Sequence, residues 1–157
     1  MSGEIRNVFI SHINEDNDSL NKLSTLLSGK GYTIRDSSIT DDKQNNANNE
    51  QYIKSGILAP RINWASTIIV PISADTHKSD WVNWEIEYAL KLGKRIVGVW
   101  LPGAKDSDLP ESLDLYANAI VGWQADRIID AIEGRINDSR HTDGSESDPR
   151  AIPRFNC

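Results

Sequence analysis

Apolar residues along this chain recur in two different periods. Short strand-like runs occur at Val8-Phe9-Ile10, Tyr32-Thr33-Ile34-Arg35, Ser66 to Ser73, Arg95 to Trp100 and Ala119-Ile120-Val121-Gly122. Between them, apolar positions return every three or four residues. After the polar cluster Asn14-Glu15-Asp16-Asn17-Asp18, the residues Leu20, Leu23, Leu26 and Leu27 predict a helix that Gly29 or Gly31 ends. Tyr52, Ile53, Ile57 and Leu58 predict a second helical face, and Pro60 can open a short helical piece through Trp64. A longer helix is expected from about Ser79 to Leu92, a short one near Glu111 to Tyr116, and a closing one marked by Ile128, Ile129, Ile132 and Ile136. The stretch from Asp36 to Asn49 reads as a long polar loop with four Asn between positions 45 and 49, and loops of that length are often functional.

Strands that alternate with helices imply right-handed βαβ units and a parallel sheet covered on both faces. The expected architecture is α/β: a flavodoxin-like three-layer sandwich around a five-stranded parallel sheet in the order 2-1-3-4-5. The 157 residues suit one core, with residues 1–137 as the domain. Residues 138–157 read as a polar C-terminal tail whose last residues could dock. Composition adds exclusions. With 38% hydrophobic and 25% charged residues, the chain is neither collagenous, coiled-coil nor wholly disordered. The longest apolar run, Ile96 to Leu101, is far short of the roughly twenty residues a membrane span needs. Met1 to Asn7 matches neither a secretory nor a transit signal, and Cys157 alone cannot form an internal disulfide, so a cytoplasmic protein is expected. A net charge of -6 argues against nucleic acid and anionic membranes as partners.

In a sheet of this order, ligands bind beyond the carboxyl ends of the strands where the winding direction reverses, here beside strands one and three. That rim holds Ser11, His12, Pro71, Ile72 and Ser73, and it receives the start of the Ser79 to Leu92 helix. At about 100° per residue, Val82, Ile86, Ala89 and Gly93 form the core face of that helix, with Trp81, Trp84 and Tyr88 as a neighbouring aromatic stripe. Glu85 falls between the two faces, whereas Glu87 points away. A glutamate in such apolar company is costly unless it has a partner or a task. Complementing the helix dipole or pairing with an arginine would explain it equally well. Arg35 has an ordinary role open to it as the partner of Asp36 or of a loop acid, and Asp36 one as a turn former. His12, His77 and His141 show no metal-ligand spacing, so no metal is expected.

The runs Val8-Phe9-Ile10-Ser11-His12, Arg35-Asp36-Ser37-Ser38-Ile39, Val70-Pro71-Ile72-Ser73 and Ser79-Asp80-Trp81-Val82-Asn83-Trp84-Glu85-Ile86 resemble a TIR domain, most of all the TIR-like proteins of Thoeris-type bacterial anti-phage systems. The resemblance covers about residues 5 to 136. It implies that the chain is an enzyme cleaving the nicotinamide–ribose bond of NAD, with Glu85 as the catalytic residue. It further implies an ADP-ribose-derived signalling nucleotide that activates a downstream nucleotide-sensing effector protein. NAD would be the substrate and no resident cofactor is needed. The candidates for ribose and phosphate contacts are Phe9, Ser11, His12, Arg35, Asp36, Ser37, Ser38 and Ser73, and Trp81 and Trp84 are candidates for stacking on a base. The resemblance leaves room for a homo-oligomer. The Asn-rich loop lacks the Pro or Gly of animal receptor TIR loops, which counts against a signalling-adaptor role.

Other proteins of the same architecture fail on residues. A response-regulator receiver needs acids after strand one, an aspartate ending strand three and a lysine after strand five, and Ser11-His12-Ile13, Pro71-Ile72-Ser73 and Gly122-Trp123 do not supply them. No Gly-rich phosphate fingerprint occurs. The remaining alternative is a non-catalytic TIR module that self-associates or binds a nucleotide without cleaving it.

Overall fold

Strands that are apolar on both sides need helices on both sides, and the chain meets that need with two separate core layers. A computed structural model describes residues 7–13, 17–36, 58–139 and 142. Its strands are β1 (Asn7–Ile10), β2 (Thr33–Asp36), β3 (Thr67–Ile72), β4 (Arg95–Trp100) and β5 (Ala119–Val121). All pair in parallel in the order β2-β1-β3-β4-β5, as the periodicity predicts. Helices α1 (Asn17–Gly29), α2 (Ala59–Trp64), α3 (Asp80–Lys91), α4 (Glu111–Tyr116) and α5 (Ala125–Ile132) connect and follow them.

Because side chains alternate along a strand, each central strand feeds both layers. Phe9, Ile68, Val70, Ile72, Ile96 and Ile120 face one side, where Ile62 of α2, Val82 and Ile86 of α3 and Leu113 of α4 cover them. Val8, Ile10, Ile69, Val97, Val99 and Val121 face the other, under Leu20, Leu23 and Leu27 of α1 and Ile128 and Ile132 of α5. Gly98 lies in β4 where the first layer is tightest: a Cβ there would stand 2.8 Å from Leu113 Cδ2 and 3.3 Å from Ile72 Cδ1.

Gly93 departs from expectation. The helical wheel places it on the core face, but it is exposed and lies past the end of α3 with φ +74°. Its N–H donates to the Leu90 carbonyl and that of Lys94 donates to the Ala89 carbonyl, so it is the left-handed residue that closes the helix. The wheel rule fails there because it holds only while the helix continues. Ile136 likewise lies beyond α5, though it still packs against the second layer. Short 3₁₀ turns at Thr76–Lys78 and Asp106–Asp108 were not expected.

After α5 the chain comes back beside β5. Ser139 bridges Ile120 in parallel, the Ile120 N–H donates to the Asp138 carbonyl at 3.1 Å, and the Thr142 N–H donates to Asp106 Oδ1 at 2.8 Å. Arg95 holds this corner. Its Nε donates to the Ala131 carbonyl and its Nη2 to the Ile136 carbonyl, each at 2.7 Å, and burial lowers its pKa from the usual arginine value. The predicted loop and helix between positions 37 and 57, and the tail from 143 to 157, lie outside the described residues.

Candidate functional site

The site begins where β1 stops. Ile10 is the last residue of the strand, but the Ser11 N–H still donates to the Ile69 carbonyl at 2.9 Å, so β3 holds the backbone of Ser11 one residue beyond β1. This end of β1 and β3 is where the sheet reverses its winding. Helix α3 begins nearby with a conventional cap: Ser79 has extended backbone and its Oγ accepts the Val82 N–H at 3.1 Å. The turn that delivers α3 is tied by Thr76, which is fully buried. Thr76 Oγ1 accepts the Ser73 N–H at 2.9 Å and reaches the Pro71 carbonyl at 3.4 Å. Ser73 Oγ lies 3.1 Å from Thr76 Oγ1, a hydrogen bond in which either hydroxyl can donate.

From this anchored start, the helical period carries Val82, Glu85, Ile86 and Ala89 inward. Glu85 has 0% exposure and Ser11 likewise, and Ser11 Oγ donates to Glu85 Oε1 across 74 positions of sequence. A carboxylate this deep requires such a donor, because burial strips it of hydration. Glu87, two residues on, is exposed. The two glutamates of α3 thus occupy opposite environments, as the wheel predicts.

The other predicted site residues divide. His12 is buried beside Ser11, and its Nδ1 donates to the Ile13 carbonyl at 3.0 Å. Ser73 is half-buried on the Thr76 turn. Trp84 is half-buried and stacks on Tyr88, with ring centroids 5.1 Å apart and planes inclined by 11°, and both pack on the first core layer. Trp81 is 36% exposed and presents its ring at the surface. Phe9 is fully buried in the first core layer, so its ring is floor to the site and not lining. Arg35 is exposed, and its guanidinium lies 4.5 Å above the Trp64 ring, a cation–π contact, while the acid side chains considered as its partners lie outside the described residues. The Asp36 side chain, Ser37 and Ser38 lie outside the described residues.

Sequence reasoning missed two residues that shape this region. Thr76 was legible as the last residue of a Ser-x-x-Thr turn, a pattern in which hydroxyls bond local backbone. Asn83 carried no such signal: its Oδ1 accepts from Ser112 Oγ at 2.7 Å and ties α3 to α4. Among the described residues, no three His, Cys, Asp or Glu side chains gather to hold a metal. None of the described helices is long and apolar enough to cross a membrane. A buried, hydroxyl-bound carboxylate at the carboxyl edge of a sheet can stabilise a developing cation or hold sugar hydroxyls.

Comparison with known proteins agrees with this fold. The solved structure of Clostridium botulinum CMP N-glycosidase, BcmB, superposes with a TM-score of 0.54 at 14% identity, covering 83% of this chain and 100% of the other, a likeness of fold. No curated protein gives a match. The family model for the Thoeris protein ThsB, TIR-like domain, matches residues 9–106, a span that contains Ser11, Thr76 and Glu85. With more than half of its length in that match, the chain belongs to the Thoeris ThsB TIR-like family of anti-phage defence.

Proposed function

We propose that this protein is a TIR-type NAD glycohydrolase or ADP-ribosyl cyclase with Glu85 as its catalytic carboxylate. The observation that carries this reading is the position of Glu85 at the winding switch point, bonded to Ser11 at the end of β1. The chemistry needs only one carboxylate. As the C1′–N bond of NAD breaks, its electron pair goes to the pyridinium nitrogen, so nicotinamide leaves neutral and needs no proton. Positive charge develops on the ribose as an oxocarbenium ion, and a preorganised anion in a water-poor site stabilises it. Water then attacks C1′ and loses a proton to give ADP-ribose, or an adenine nitrogen or ribose hydroxyl of the same molecule attacks to give a cyclic isomer.

His12, Arg35, Asp36, Ser37, Ser38 and Ser73 serve as ribose and phosphate contacts in this reading, with Trp81 and Trp84 as stacking surfaces. The CMP N-glycosidase is named for an N-glycosidic bond of a nucleotide, the same bond class. The product would be a signalling nucleotide for a separate effector of the defence system, and assembly into a homo-oligomer would complete the active form.

One observation favours a second reading. With 0% exposure, Glu85 meets no substrate until the groups above it move, which suits a non-catalytic TIR module holding a structural acid. Product analysis separates the two. NAD is incubated with wild type, Glu85→Gln and Glu87→Gln, with lysate of phage-challenged cells supplying the trigger. Nicotinamide release lost in Glu85→Gln and kept in Glu87→Gln is the expected result. Equal release by Glu85→Gln and wild type, or none from any triggered sample, would leave the binding module.

A further inference from the structure

The Ser11 side chain has a restricted set of hydrogen bonds to offer. A serine residue carries one backbone N–H donor and one hydroxyl donor, with lone pairs that only accept. The backbone donor is spent on the Ile69 carbonyl, and the hydroxyl hydrogen on Glu85 Oε1. Nothing remains to donate to a ribose hydroxyl or phosphate oxygen of a substrate. What it does offer is rigidity: its backbone N–H is held by the Ile69 carbonyl of β3, and its short side chain has one rotatable bond before the oxygen.

We infer that Ser11 is a positioning residue that sets the orientation of the Glu85 carboxylate through the Oγ–Oε1 hydrogen bond, and is not a substrate contact. The inference rests on the reading of Glu85 as catalytic. Glu85 sits on α3, whose own start is anchored by Ser79 and the Thr76 turn, but a glutamate side chain has three torsions beyond that helix. The bond from β1 removes much of that freedom. Displacement of a reacting group by about 1 Å can cost on the order of 100-fold in rate. A residue that only orients the carboxylate acts on the chemical step. A residue that binds NAD acts on KM.

The test is steady-state nicotinamide release by triggered wild type, Ser11→Ala, Ser11→Thr, Glu85→Gln and Ser11→Ala/Glu85→Gln, with thermal melts confirming that each folds. Ser11→Ala is expected to lower kcat by about 10- to 100-fold with KM within about 3-fold. Ser11→Thr, which restores the hydroxyl, should recover most of the loss. The double variant should be no slower than Glu85→Gln, because Ser11 has nothing left to orient. A KM increase with unchanged kcat in Ser11→Ala would overturn the inference and return Ser11 to the substrate contacts. So would further slowing of Glu85→Gln by Ser11→Ala, or failure of a folded Ser11→Thr to recover activity. In each of those outcomes the catalytic reading of Glu85 survives. Absence of NAD turnover in wild type, or wild-type turnover in Glu85→Gln, overturns both.

Discussion

A carboxylate taken out of water loses hydration worth several kcal/mol, and one hydrogen bond from a neutral hydroxyl returns only about 1 kcal/mol of that. Glu85 is wholly buried, with Ser11 among its partners as a donor and Val82, Ile86 and Ala89 buried beside it on the same helix. Glutamine has nearly the same shape and keeps an oxygen for Ser11 to bond, while removing the need to bury a charge. Glu85→Gln is therefore expected to unfold at equal or higher urea concentration than wild type, by up to about 2 kcal/mol, although the proposed mechanism predicts that it slows NAD turnover severely. Glu87→Gln, on the exposed side of α3, should stay within about 0.5 kcal/mol. A marked loss of stability in Glu85→Gln alone would show that the charge itself holds the fold together, as in a structural acid.

At the level of elements, α3 is the piece that brings chemistry to the sheet, and its start is determined locally. Ser79 caps it, Thr76 shapes the turn before it, and the Gly93 turn closes it. The neighbouring helix α4 is tied to it through the Asn83–Ser112 bond, and α4 approaches β4 closely. Gly98 is the narrow point, because α4 packs Leu113 directly against its backbone. Gly98→Val would drive a branched side chain into Leu113, Ile72 and Ile120 in a layer that is already full. The expected cost is about 1–3 kcal/mol or more, read as a lowered urea midpoint. The same displacement would reach the Asn83–Ser112 bond between α3 and α4 and loosen Glu85 in turn. An unchanged midpoint would mean that α4 can shift away freely.

Across the whole molecule, the two core layers are joined by strands that contribute to both, so they are expected to unfold together. Arg95 anchors the far edge of that unit, because its guanidinium is the donor for two carbonyls at the end of α5 and just beyond it. Arg95→Met keeps the apolar stem and removes both charge-assisted bonds. It should cost about 2–3 kcal/mol in urea unfolding while leaving a single transition, whereas two transitions would show that the layers are separable. The sheet order and, among the described residues, the succession of strands and α-helices were legible in the sequence, since strand and helix periods are local and parallel βαβ units allow few topologies. The separate environments of Glu85 and Glu87 were legible for the same reason: they follow from the angle between neighbours on one helix. The Gly93 turn, the Arg35–Trp64 contact and the Ser11–Glu85 bond were not. Each depends on where a chain ends or on which distant side chain arrives beside it. Periodicity determines the face a residue takes, but only packing brings together residues 74 positions apart, and so the sequence named Ser11 and Glu85 separately while the tertiary structure made them a pair.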